Sequence, residues 1–99
     1  MRQYAVFDNP RESSRDFAPY LVVLQSHYVE LDSVVVAPLV NDKIASGIDI
    51  GVEFNGEPLI AALTELATVA RASLRRQRGD LETYEYEIQR GLNRLFTGF

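Results

Sequence analysis

The sequence predicts one α+β domain in which strands fill the first half of the chain and a helix closes it. Three observations carry this. Tyr20-Leu21-Val22-Val23-Leu24 and Val34-Val35-Val36-Ala37 are β-branched, nearly continuous apolar runs of strand length. From Ile48 to Phe54 apolar and polar residues alternate, and the alternation runs into Asn55-Gly56, a strong hairpin signal. Near the end, Ile88, Leu92, Leu95 and Phe96 fall at i, i+4, i+7 and i+8, the stripe of an amphipathic helix. A chain of 99 residues can bury one hydrophobic core without disulfides or metals, so 1–99 reads as a single domain.

Taken in order, Gln3 to Phe7 reads as a short strand that breaks at Asp8-Asn9-Pro10, and Arg11 to Asp16 as a solvated loop. The two apolar runs read as central strands joined by the polar connection Gln25 to Ser33. Pro38 cannot donate to a ladder, so the second strand is expected to close there. Asn41 to Gly47 is a further polar connection. In the alternating strand Ile48, Ile50, Val52 and Phe54 share one face, and Asp49 and Glu53 are expected on the solvated other. Leu59 should begin the return strand. Beyond it, Leu59, Leu63, Leu66, Ala70 and Leu74 fit helical spacing, and local propensity alone favours helix there. Arg75-Arg76-Gln77-Arg78-Gly79 reads as a solvated basic turn. The last helix is expected over Thr83 to Phe96, capped by Asp80 or Thr83 and ended by Gly98. Glu82, Glu85 and Glu87 precede Arg90 and Arg94, the order the helix dipole favours. Its four apolar side chains should anchor it to the core.

Composition narrows the function. With 10 basic and 14 acidic residues the net charge is -4, which argues against binding nucleic acid, since a phosphate backbone needs concentrated positive charge. Cysteine is absent, which removes disulfides and thiolate metal sites and fits a reducing compartment. No stretch approaches the roughly 20 apolar residues of a membrane span, and the N-terminus lacks a long apolar run, so a cytoplasmic protein is expected. His27, the one histidine, stands unsupported beside Ser26 and Tyr28 and reads as a surface residue. The glycines are scattered and form neither a phosphate loop nor a nucleophile elbow. The expectation is a protein with no catalytic site, metal or cofactor of its own, acting through contact with another macromolecule.

A series of segments resembles one family in order and spacing. The N-terminal strand leads into Asn9-Pro10-Arg11-Glu12-Ser13, followed by Leu24-Gln25-Ser26 and Val35-Val36-Ala37-Pro38-Leu39. Val52-Glu53-Phe54-Asn55-Gly56-Glu57 and Leu63-Thr64-Glu65-Leu66-Ala67-Thr68-Val69 come next, and Ile88 to Phe99 carries Leu92-Asn93, Leu95-Phe96 and Gly98. Together they resemble the CcdB family of bacterial toxins from toxin–antitoxin systems. The resemblance implies a mainly β (α+β) fold, an SH3-like antiparallel barrel with a C-terminal α-helix, assembled as a homodimer. It also implies strand with a short turn, rather than helix, over Leu59 to Leu74.

The resemblance further implies a non-enzymatic toxin that binds the A subunit of DNA gyrase through the helix end and tail and is neutralised by a disordered, acidic antitoxin. Carried over residue by residue, the gyrase-binding positions are Tyr28, Val29, Asn93, Phe96, Thr97, Gly98 and Phe99, and Arg11 lies where the antitoxin would be met. Thr97 stands where the family has a tryptophan, and Phe99 keeps a large apolar terminus. Two other readings stand beside this one. The first is an endoribonuclease toxin of the related MazF type, kept open by Arg75, Arg76 and Arg78. The second is a homologue that keeps antitoxin binding but has lost gyrase, supported by Thr97.

Overall fold

In the computed structural model, which describes residues 1–41 and 46–98, the β-branched runs form the centre of one antiparallel sheet. Strands β1 (Ala5–Asp8), β2 (Tyr20–Val23) and β3 (Ser33–Val40) pair in succession, Val6 opposite Val22 and Val22 opposite Ala37. Both faces of these strands are covered. Val6, Val22 and Ala37 belong to one apolar cluster, and Phe7, Leu21 and Val36 to a second. That double burial is why their sequences are continuously apolar rather than alternating.

Strands β4 (Ile50–Phe54) and β5 (Glu57–Ala61) form the expected hairpin, with Asn55 and Gly56 at φ of 52° and 76°, as a type I′ turn requires. Val52 and Phe54 point inward, Gly51 and Glu53 outward. The second edge of β3 takes β6 (Ala67–Ala70) along Ser33 to Val36 and β5 along Leu39 and Val40. Pro38 therefore lies inside β3, not at its end. It falls between those two pairings, where the strand changes partner, so its missing N–H breaks neither ladder.

Local helical spacing over Leu59 to Leu74 is overruled. The segment folds as β5, a 3₁₀ turn at Leu63–Glu65, β6 and a second 3₁₀ turn at Arg71–Ser73, as the resemblance implied. The basic segment after it is a strand as well. β7 (Gln77–Asp80) pairs with β1, Gly79 opposite Val6 and Gln77 opposite Phe7, which leaves Arg78 as the extra residue of a bulge. A Cβ on Gly79, at φ 152°, would lie 3.1 Å from the Phe54 ring. Glycine there lets β4 and β7, the two ends of the order β4-β5-β3-β2-β1-β7, approach each other, and the sheet curls into a half-barrel. Phe54 also meets Tyr20 edge-on, ring centroids 5.1 Å apart.

The bulge throws Arg78 onto Asp8, where Nε and Nη2 each donate to a carboxylate oxygen at 2.9 Å. That hydrogen bonding, helped by the fields of Arg78, Arg76 and Arg15 and opposed by partial burial, holds the Asp8 carboxyl below its ordinary value. A lowered folded-state value stabilises the protein above the unfolded carboxylate pKa of about 3.9 and loses that contribution as pH falls through the folded value. Asp8→Asn should thus melt below wild type at neutral pH, with the gap closing in acid below about pH 4. The gap should be small because Arg78 is exposed and solvent screens the pair, even though the Asp8 side chain is partly buried. Thermal melts from neutral pH down to about pH 3 read this directly, and a gap that persists in acid would assign it to packing instead.

The helix starts later than expected. A 3₁₀ turn at Glu82–Tyr84 precedes α1 (Glu85–Thr97); Asp80 Oδ1 accepts the Glu82 N–H at 2.9 Å ahead of that turn, but Tyr84 stands at the N-cap of α1 without a side-chain bond, so neither Asp80 nor Thr83 caps the helix. Ile88 is fully buried, Gly91 is buried, and Leu92 and Leu95 are half-buried, but Phe96 is 69% exposed. The expected anchoring by four side chains is therefore corrected. At about 100° per residue Phe96 has rotated roughly 80° from Ile88, whereas Gly91 lies on the core side. A Cβ on Gly91 would meet Leu63 Cδ1 at 2.5 Å and the Ile48 carbonyl at 2.8 Å. The glycine is what seats the helix.

Asp49 also departs from expectation. It lies in the turn before β4 rather than in the alternation, is buried, and accepts the Thr64 N–H and hydroxyl at 3.1 Å each. It ties that turn to the 3₁₀ turn beside β5.

Candidate functional site

The helix end carries most of the expected target residues. Phe96 lines an apolar groove of about 340 Å³ with Leu24, Gln25, Val35, Leu66 and Leu92. Leu24 follows β2, Val35 lies in β3, Leu66 comes from the turn before β6 and Leu92 from the helix, so four parts of the fold build one concave surface. Asn93 is exposed one turn earlier, and its carbonyl accepts the Thr97 hydroxyl at 2.6 Å. The Thr97 hydroxyl is thereby committed to the helix. Gly98 takes the left-handed conformation, φ 80°, with its N–H donating to the Arg94 carbonyl at 3.0 Å, a glycine C-cap. Phe99 lies outside the described residues, as does most of the connection between Asn41 and Gly47.

The β2–β3 loop stands beside this groove through Gln25. Its Nε2 donates to the Val29 carbonyl at 2.9 Å, and its Oε1 accepts the Val35 N–H at 3.3 Å. Ser26 fixes the tip: its hydroxyl accepts the Tyr28 N–H at 3.2 Å and its carbonyl the Val29 N–H at 3.0 Å. Val29 is half-exposed and Tyr28 is 87% exposed, its ring 4.3 Å from that of His27. His27 is half-buried at the surface, with Nδ1 shielded and without a hydrogen-bond partner. Val29 is linked to the Phe96 groove by Gln25, whereas Tyr28 is not among the residues lining it.

Sequence reasoning passed over Leu31, which is 57% exposed on the same loop, and Phe17 and Tyr86, which are also exposed. An apolar residue inside a polar connection is the signal that could have found Leu31 and Phe17. Tyr86 sits on the outer face of α1 and breaks no pattern.

Arg11 lies on a different surface. It lines a groove with Phe17, Leu21, Val36, Pro38 and Val69, on the sheet face of the second apolar cluster. Asn9 shapes that loop: its amide donates to the Ala18 carbonyl at 2.8 Å and its Oδ1 accepts the Arg11 N–H at 3.0 Å. Among the described residues no cluster of three or more His, Cys, Asp or Glu side chains could hold a metal ion, and no helix is long and apolar enough to cross a membrane.

A family model described as CcdB protein matches residues 3–98. No curated protein matches the chain. Among solved structures the chain is similar to the Mycobacterium tuberculosis toxin MazF-mt6, with 20% identity, a TM-score of 0.73 and coverage of 96% of each chain. At that identity the likeness is one of fold.

Proposed function

The chain belongs to the CcdB family, and from that premise we propose that it is the toxin of a toxin–antitoxin pair that acts by binding the A subunit of DNA gyrase, not by catalysis. The observation that carries the reading is the placement of Phe96. A large aromatic 69% exposed at the end of an anchored helix, beside an apolar groove, is the kind of surface that marks a protein partner. Val29, held by Gln25, and Asn93 flank it, and Tyr28 extends the apolar surface along the loop. The partner that neutralises the toxin is an acidic antitoxin, met in part by Arg11. Because gyrase works on the chromosome, the proposed site of action is the cytoplasm. The exposed apolar side chains of the loop and helix end also favour a homodimer that covers part of them.

Supercoiling of relaxed plasmid by purified gyrase, with and without the protein, tests the reading. Inhibition is expected, and unchanged supercoiling at saturating protein would remove gyrase as the target. Sedimentation of the same preparation should give twice the 11.2 kDa chain mass. Incubation with a cellular RNA reads the ribonuclease alternative, for which cleavage lost in an Arg75, Arg76 and Arg78 triple alanine variant is the signature.

A further inference from the structure

Side chains finish the β2–β3 ladder. The last regular pair is Val23 with Val36, and one step further Leu24 stands opposite Val35. The Leu24 N–H donates to the Val35 carbonyl at 2.9 Å, and in an antiparallel pair the Val35 N–H would return the bond to the Leu24 carbonyl. Here both groups have other partners. The Leu24 carbonyl accepts Gln3 Nε2 at 2.9 Å, and the Val35 N–H goes to Gln25 Oε1 at 3.3 Å. Two carboxamides thus take the two halves of that rung, and the regular ladder ends where Leu24 and Val35 wall the Phe96 groove.

Gln25 does more than end the ladder. Its Nε2 donates to the Val29 carbonyl at 2.9 Å, so one planar group accepts from β3 and donates to the tip of the connecting loop. Chemistry fixes its orientation: a carboxamide turned over would set its NH2 against the Val35 N–H and its oxygen against the Val29 carbonyl. The rest of the loop is secured elsewhere. Ser26 closes a turn on Tyr28 and Val29, and the Arg71 N–H holds the far end at the Asp32 carbonyl, 2.8 Å away. Among the described residues, Gln25 supplies the hydrogen-bonded link between the tip and β3. That link matters for binding, because a loop that must be ordered on contact costs affinity and a preformed one does not.

We infer that Gln25 is the positioning residue of the target surface: it holds the loop tip, with Tyr28 and Val29, preformed beside the Phe96 groove. What that surface meets rests on the gyrase reading above, whereas the strut itself does not depend on the partner's identity. A carboxamide of this length meets both demands at once. An ionised glutamate accepts from Val35 but has no proton to donate to Val29, and methionine, of similar length, has no donor and only a weak acceptor.

The test compares wild type, Gln25→Met and Gln25→Glu, each as the full chain, by NMR relaxation and by titration onto the gyrase A subunit. In wild type the backbone order parameters of Tyr28 to Leu31 should match those of the strands, about 0.85, and in both variants at neutral pH they should fall toward about 0.6 or lower. Gyrase binding should weaken by about tenfold, the effect of having to order a short loop on contact. Thermal melts should stay near wild type, since the bond to Val29 is exposed. Acid supplies a control that a packing role would not move. Below the ordinary glutamate pKa of about 4.3 the introduced carboxyl regains a proton and donates to the Val29 carbonyl, so the Gln25→Glu loop should re-order while the Gln25→Met loop stays loose. Unchanged order parameters in Gln25→Met, or a Gln25→Glu loop indifferent to pH, would overturn the inference. So would loosened loops that bind gyrase as tightly as wild type, because the tip would then lie outside the contact surface. If the loop responds as expected and wild type does not bind gyrase, the strut stands and the gyrase reading falls.

Discussion

Truncating Ile88 to alanine should destabilise the protein by about 2–5 kcal/mol, toward the upper end of what a buried aliphatic truncation costs. The side chain has no exposed surface and sits in the main cluster with Leu63, Leu81 and Val52. How much of the lost volume becomes a cavity depends on whether the helix can settle inward. Gly91 prevents that: its backbone already lies so close to Leu63 and the Ile48 carbonyl that even a Cβ would collide. With the helix at its limit of approach, the space left by Ile88 stays open, and an unrelaxed cavity is the costly case. Urea unfolding monitored by circular dichroism gives the number. Phe96→Ala, eight residues on but exposed, should fall within about 0.5 kcal/mol of wild type in the same experiment. A loss below about 1 kcal/mol at Ile88 would mean that the helix shifts and that Gly91 does not set its seat.

The contrast between those two positions shows what the sequence could and could not reveal. Strand runs such as Tyr20 to Leu24 were legible because burial on both faces leaves no polar positions, and the β4–β5 turn because Asn55 and Gly56 both need positive φ. The helix was legible from its period, but a period says only which residues share a face. It did not reveal that Gly91, with no side chain to count, marks the centre of that face and leaves Phe96 at its edge. Over Leu59 to Leu74 the helical spacing was coincidental. Leu59 and Leu63 enter the main core from β5 and a 3₁₀ turn, Leu74 enters the second cluster, and Ala70 is exposed, so the shared period served different surfaces. β7 was invisible because Gln77, Arg78, Gly79 and Asp80 have low strand propensity; its pairing with β1, some 70 residues away in sequence, makes it a strand. Likewise Arg75 and Arg76 line a common cleft with Arg15 only once β7 has folded beside β1, and no local pattern encodes that meeting.

At the helix end, Phe96→Ala should weaken binding to the gyrase A subunit by about 30-fold to several-hundred-fold, the equivalent of the roughly 2–4 kcal/mol that a central aromatic anchor contributes. Phe96 is the described residue of the tail that offers a large apolar surface, and the groove beside it is lined by Leu24, Val35, Leu66 and Leu92. Thr97 adds little, since its hydroxyl is bonded to the Asn93 carbonyl and its side chain is small. Thr97→Trp should therefore tighten binding, because an indole adds the flat stacking surface that threonine lacks and costs the helix only one local hydrogen bond near a glycine cap. The two variants answer different questions when titrated onto immobilised gyrase A subunit alongside wild type, with thermal melts to show that both fold. If Phe96→Ala binds like wild type, the helix end is not the contact surface, whatever the family pattern suggests. If wild type does not bind but Thr97→Trp does, the fold has kept its target surface and lost the one ring that gave it affinity. If neither binds, the chain has kept the fold and relinquished gyrase.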